Sequence, residues 1–140
     1  MNLGQRFALC GAISAFLAVA AGAFGAHYLK TRLTPDHLTA FETAARYQMY
    51  HALALFVSAS LAERGWRLAP PAGWLFILGT VLFSGSLYLI ALTGITRFGL
   101  ITPLGGLAFL AGWLCLIVCA WPNTRNEVPS DERRVTGDVG

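Results

Sequence analysis

The sequence predicts an all-α integral membrane protein, a four-helix antiparallel bundle followed by a disordered polar C-terminal tail. Hydrophobic residues make up 56% of the 140 residues and charged residues 12%. That charged fraction is about half of the ~25% found in soluble domains. A soluble domain this small would also have too little core to bury so much apolar side chain. This composition is therefore typical of a protein that is solvated by lipid.

The charged residues fall in clusters, and the gaps between the clusters define candidate membrane spans. Residues 7–26, 73–92 and 98–121 carry no charge, and each run is close to the ~20 residues that cross the hydrocarbon core. A fourth candidate, residues 47–62, is shorter and contains His51. Four helices are therefore predicted, near residues 5–28, 35–63, 72–93 and 102–121.

Capping residues predict where the second helix begins. Thr34 offers a hydroxyl N-cap, Pro35 suits the first helical position and Asp36 places an acid in the first turn. A helix from there to Glu63 would be ~42 Å long, which exceeds the ~30 Å hydrocarbon core. Such a helix either tilts or lies partly at the interface, and the sequence leaves both arrangements open.

The charged segment 122–140 predicts a disordered tail, because it cannot bury enough apolar surface to offset its chain entropy. Residues 1–121 then form the transmembrane domain. With four spans, both termini share one side of the membrane with the loop that follows Glu63. That side has more basic residues than the opposite side, so the positive-inside rule favours cytoplasmic termini. The two sets are Arg6, Arg64, Arg67, Arg125, Arg133 and Arg134 against Lys30, Arg32, Arg46 and Arg97.

Small residues form stripes on the predicted helices, and such stripes let neighbouring helices approach closely. On the first helix the stripe favours a retained span over a cleaved secretory signal, although Ala21-Gly22-Ala23 resembles a cleavage site. The stripes are Gly11, Ala15, Ala18, Gly22 and Ala26 on the first helix, Ala40, Ala44, His51, Ala54 and Ser58 on the second, and Gly105, Ala108, Gly112, Cys115 and Cys119 on the fourth.

No residue pattern predicts a catalytic, metal or cofactor site. Cys115 and Cys119 lie one turn apart on a single helix, which is a poor geometry for a disulfide, and they are expected to be packing residues. Haem between His27 and His51 is disfavoured because the two histidines are predicted at different depths. Hydrolase and metalloprotease motifs are lacking. The net charge of +3 is spread along the chain and predicts no nucleic-acid partner. We expect a protein that is not an enzyme and has no cofactor.

Polar residues concentrate on the first two helices, and we hypothesise that they form one cluster near the outer half of the bundle. Glu42 and Arg46 have the spacing and order of a helical ion pair, and they share a face with Tyr50. The alternative is an ion pair at the interface and a histidine that bonds across the bundle. Ionisable groups deep in a membrane are costly and usually functional. The candidate polar cluster consists of His27, Glu42, Arg46, Gln48 and His51.

Three separated motifs resemble those of the domain of unknown function 423 family, small bacterial inner-membrane proteins that are similar to eukaryotic transmembrane protein 256. The motifs are residues 22–27 (GAFGAH), 46–54 (RYQMYHALA) and 101–106 (ITPLGG). The resemblance covers about residues 3–121 and implies four transmembrane helices, an uncleaved first helix and a bacterial inner-membrane location. It implies no reaction. The charged tail after Trp121 departs from the family pattern.

Two classes of function follow from these features. The first is a non-enzymatic accessory, assembly or stabilising protein in the lipid bilayer, with a membrane-protein partner or a homo-oligomeric state. The alternative is a small oligomeric transporter or channel whose path is lined by Glu42, Arg46, Gln48 and His51. Size favours the first class, because four short helices fill their own centre. The histidine favours the second class, because its side chain suits proton coupling.

Overall fold

The computed structural model describes residues 1–121, and all regular elements in that range are helical. The all-α expectation is therefore confirmed there, whereas the tail predicted over residues 122–140 lies outside the described residues. Short 3₁₀ segments, Leu29–Thr31 and Thr96–Leu100, precede α2 and α5. The α-helices in chain order are α1 (Leu3–His27), α2 (Pro35–Glu63), α3 (Ala69–Gly79), α4 (Gly85–Thr93) and α5 (Thr102–Ala120).

Capping residues determine where the first two helices begin. At α1, the Asn2 side chain accepts a hydrogen bond from the Gln5 backbone, and the Gln5 side chain accepts one from the Asn2 backbone, which is a capping box. At α2, Thr34 is the N-cap and Pro35 lies in the first turn, as the sequence predicts. The predicted helix bounds agree with those of the structure to within one turn.

A π-helical segment, Thr80–Ser84, joins α3 to α4, so that Ala69–Thr93 is one continuous helix. The sequence predicted the helix but not this irregularity. The wider turn coincides with the closest approach of α5, where a Cβ atom on Gly105 would collide with the backbone nitrogen of Phe83. A π-helical turn admits one extra residue, and here it lies where two backbones are nearly in contact.

Helix α1 packs along α2 through small residues that repeat every seven positions. The contacts run from Glu63 beside Gly4 to Phe41 beside Gly25. Midway, a Cβ atom on Gly11 would lie only 2.9 Å from a backbone carbonyl oxygen of α2. A seven-residue repeat keeps the same face towards a neighbour along a gently supercoiled pair. The repeat consists of Gly4, Gly11, Ala18 and Gly25, all of which are buried.

The predicted small-residue stripe of α1 is therefore wrong at Gly22. A Cβ atom on Gly22 would have no other atom within 4 Å, so this glycine does not mediate a contact among the described residues. Gly11 and Ala18 do lie at the contact, but the seven-residue repeat continues from them to Gly25. The prediction followed three- and four-residue steps and so included residues on the flank of the true contact face.

Phenylalanine rings fill the spaces over glycines where the helix of residues 69–93 meets α5. A Cβ atom on Gly112 would lie 2.6 Å from the Phe76 ring, and one on Gly79 would collide with the Phe109 ring. Each ring thus occupies the volume that a side chain would need. The face predicted for the fourth helix is confirmed, since Gly105, Ala108, Gly112 and Cys119 are buried and Cys115 is half-buried.

Large apolar side chains cover the outside of these helices, as in a protein solvated by lipid. Three helical segments of the described chain are long and apolar enough to cross a membrane: Leu3–Thr31, Ala69–Thr93 and Thr96–Ala120. Helix α2 is not among them, and it carries the buried polar residues Gln48, His51 and Ser58. Exposed apolar side chains include Ile13, Phe16, Val19, Leu53, Val81, Leu107, Leu110 and Ile117.

We predict that Gly112→Leu strongly lowers accumulation of the protein in membranes, whereas Gly22→Leu does not. The leucine at position 112 must displace the Phe76 ring, and such overpacking costs about 1–3 kcal/mol. The leucine at position 22 enters open space. Quantitative immunoblots of isolated membranes measure the effect. Equal accumulation of the two variants would contradict the assigned contact face.

Candidate functional site

Gln48 is a buried amide that connects α2 to two other helices. Its Nε2 donates to the backbone carbonyl of Ser14 on α1 at 3.1 Å. Its Oε1 accepts from the Tyr88 hydroxyl on α4 at 2.9 Å. Lipid offers no replacement partner for these groups. The amide therefore holds α1 and α4 at fixed levels along α2.

His51 lies one turn beyond Gln48 and connects α2 to α5. Its Nδ1 lies 2.8 Å from the carbonyl oxygen of Tyr47, and its Nε2 lies 3.2 Å from the indole nitrogen of Trp113. A carbonyl can only accept a hydrogen bond and an indole N–H can only donate one. His51 therefore carries its proton on Nδ1 and accepts from Trp113 at Nε2. Both nitrogens have their partners when the ring is neutral.

Aromatic rings surround the His51 imidazole. The Phe109 ring stacks on it, with ring centroids 3.3 Å apart and an interplanar angle of 2°. Phe76 and Trp113 also pack nearby, with centroids 5.6 Å and 6.2 Å away. A cation on Nε2 would face the Trp113 N–H, so this site is built for a neutral histidine. The stacked Phe109 ring and the two hydrogen bonds of His51 fix the orientation of the imidazole and connect α2 to α5.

A wide groove of about 720 Å³ opens beside His51, between α2 and α5. Its walls are mainly apolar and aromatic, and Tyr47 and Tyr50 line it together with the histidine. The groove is open to the outer surface of the helices. The other lining residues are Phe83, Pro103, Gly106, Leu107, Phe109, Leu110 and Trp113.

The structure does not bring the five residues of the predicted polar cluster together. Gln48 and His51 are buried one turn apart, whereas Glu42 and Arg46 are exposed on another face of α2, and His27 is exposed at the end of α1. No hydrogen bond of Gln48 or His51 in the described residues reaches His27, Glu42 or Arg46, and the five residues as one functional cluster stay a prediction. Residues on one helix diverge by ~100° per position, and the neighbours of α2 cover only one side of it.

Glu42 and Arg46 line a second, shallower groove of about 360 Å³ on the outside of α1 and α2. They share this face with Tyr50, as the helical wheel predicts. Within the described residues, the two side chains form no ion pair with each other or with another group at 4.0 Å or less. The ion pair predicted between Glu42 and Arg46 is thus not formed within residues 1–121.

No sequence pattern predicts the partners of Gln48 and His51 on other helices. These partners are Tyr88, Trp113 and Phe109. A usable signal was present for Trp113, because tryptophan prefers the membrane interface and this one lies well inside the last span. An indole N–H at that depth needs an acceptor. The side chains of Tyr88 and Phe109 have no such signal, since aromatic residues are common on any lipid-exposed or packed helix.

The described residues contain no group of three histidine, cysteine or acidic side chains placed to hold a metal ion. The two histidines considered for haem, His27 and His51, differ in burial and in hydrogen bonding. His51 uses both ring nitrogens in hydrogen bonds, and His27 is exposed at the opposite end of α1 from Gly4. Both ring nitrogens of His51 are thus occupied by partners within the described residues.

A family model described as "Protein of unknown function (DUF423)" matches residues 21–106. The chain belongs to this family. It is similar to UPF0382 membrane protein YwdK of Bacillus subtilis, with 49% identity over 116 residues that cover 81% of this chain and 94% of that protein. UPF0382 membrane protein SH2409 of Staphylococcus haemolyticus is 46% identical over 114 residues, 81% of this chain and 93% of that protein.

No solved structure matches the chain. The family match confirms the resemblance found in the three sequence motifs, since all three lie within the matched residues and the third ends at their boundary. The relatives are named as membrane proteins, which agrees with the apolar outer surface. This DUF423 member is a membrane protein.

We predict that ¹⁵N NMR finds His51 with its proton on Nδ1 at neutral pH. The Tyr47 carbonyl requires a donor at Nδ1, and the Trp113 indole requires an acceptor at Nε2. The measurement uses histidine-labelled protein in lipid, with His27→Gln and His37→Gln to leave a single signal. Trp113→Phe in the same background is the matched comparison and should allow the other tautomer to appear. A proton on Nε2 in the parent protein would contradict the assignment.

Proposed function

We propose that this DUF423 member is a multi-pass protein of the bacterial inner membrane with four transmembrane helices and cytoplasmic termini. The helix of residues 69–93 together with α1, α2 and α5 would form an antiparallel bundle. Helix α2 is less apolar than the others, but its polar residues Gln48 and His51 bond to other helices. Their contact with protein offsets the cost of carrying them into the membrane.

We further infer a non-enzymatic accessory role, in which the chain stabilises another membrane protein or assists its assembly. The single observation that carries this proposal is the use of the buried polar groups. The side-chain nitrogens and oxygen of Gln48 and His51 are all engaged with backbone or side chains of the helices. They act as connectors between helices, which is a structural use, and transport would require them to exchange partners.

We predict that reporter insertions after Lys30 and Gly65 report opposite sides of the membrane, with Gly65 cytoplasmic. The two positions flank α2, so the result tests directly whether this helix spans the bilayer. Paired reporters, one active only in the cytoplasm and one active only outside it, make the measurement. Reports of the same side from both positions would contradict the four-span proposal.

The accessory role predicts that deletion of the gene lowers the amounts of a small set of other membrane proteins without lowering their transcripts. Quantitative membrane proteomics measures this loss, and re-expression of the intact chain should reverse it. In a second arm, purified protein in liposomes should pass no more protons than empty liposomes. Proton flux that is lost in a His51→Phe variant would favour the transporter alternative and contradict the accessory role.

A further inference from the structure

Arg46 is an exposed cation at the level of the middle of α1. It lines the shallow groove together with Ala18 and Gly22 of α1. Ala18 lies within two residues of the centre of the charge-free run 7–26, which is ~3 Å along a helix. Gly22 lies ~8 Å from that centre. If α1 spans the bilayer, the Cα atom of Arg46 thus lies within the hydrocarbon core, beside the stretch of α1 from Ala18 to Gly22. Ionisable residues at that depth almost always face protein or water.

Glu42 lies one turn away on the same exposed face and lines the same groove. Neither side chain has an ion-pair partner at 4.0 Å or less among the described residues. One face of α2 therefore presents an unpaired anion and an unpaired cation to the surroundings. Lipid phosphate groups are a poor match for the whole face, because an anionic phosphate does not pair with the carboxylate of Glu42.

We propose that this face binds a second copy of the same chain, with Glu42 of each copy paired to Arg46 of the other. A face that carries one acid and one base is complementary to itself under a two-fold axis. All copies insert in the same orientation, so the axis runs along the membrane normal and the two α2 helices are parallel. Parallel helices form interhelical ion pairs between a g position and the e position that follows it on the partner, five residues later. Glu42 and Arg46 are four residues apart, one less than that spacing.

The surface around the pair suits a close helix–helix contact. Gly22 has open space where its Cβ would be, with no atom within 4 Å. Small residues at such positions allow backbones of neighbouring helices to approach closely in membranes. Tyr50, which is 53% exposed, lies at the same groove and provides apolar contact area. The groove and the charged pair together define the α1–α2 interface of the proposed dimer.

Two differently tagged copies of the full-length chain, co-expressed and extracted in mild detergent, test this interface. The wild-type copies should co-purify. Glu42→Lys in both copies, or Arg46→Glu in both copies, should reduce co-purification about tenfold or more, because like charges then meet in a desolvated contact. Arg64→Glu, beyond the end of α2, is the matched charge reversal and should leave co-purification unchanged.

Rescue between copies is the decisive arm. One copy with Glu42→Lys and one with Arg46→Glu should co-purify to within about twofold of wild type, because each new pair then joins opposite charges across the contact. A chain that carries both reversals is the comparison. If that chain co-purifies with its own copies but the mixed single reversals do not co-purify, the pair is intrachain and the proposal is overturned. Unchanged co-purification of the single reversals, or wild-type copies that never co-purify, would overturn it as well.

Gly22→Leu keeps the test informative if charge reversals prevent insertion. Position 22 has room for a side chain within one copy, so this variant should accumulate normally and yet lose about tenfold or more of the co-purification, because the leucine occupies the contact surface. Leu17→Ala, on an exposed part of α1, is the control and should co-purify as wild type. Normal co-purification of Gly22→Leu would exclude the α1–α2 groove as the contact surface.

Discussion

Gln48 and His51 are one turn apart on α2, and their side-chain hydrogen bonds reach α1, α4 and α5. In lipid there is no competing solvent that could satisfy these groups if the helices separated. The bonds therefore fix the level at which each helix meets α2. Along α2 they lie between two apolar clusters, one that contains Phe41 and one that contains Leu55, so the polar layer sets the register of both.

The packing of rings against glycines depends on that register. Phe76 fits over Gly112 and Phe109 over Gly79, and in each case the ring occupies the space of a missing side chain. A shift of one residue between α5 and the helix of residues 69–93 would move a ring onto a side chain, and interiors packed at native density do not absorb such a shift. The stacking of Phe109 on His51 connects this ring packing to the polar layer.

The helices could be predicted from the sequence because their signals are local. Thr34 and Pro35 define the start of α2, and gaps between charged residues give the other helices to within one turn. The candidate site could be predicted only in part, because burial of Gln48 and His51 depends on which helices surround α2. The helical wheel correctly separated His51 from Glu42, but it could not supply Tyr88 as a partner, since that contact joins residues 40 positions apart in the chain.

The polar residues of α2 fall into two classes with opposite consequences. Those that point inwards have partners within the chain, so they contribute stability and register whatever the protein does. Glu42 and Arg46 point outwards and have no ion-pair partner at 4.0 Å or less in the described chain, so they are available to pair with groups of another molecule. The proposed dimer would pair these charges across its interface, because lipid chains offer them no partner. In that proposal the contact surface lies on the outer face of α1 and α2, and the hydrogen bonds of Gln48 and His51 in the interior hold the helices that form this face together.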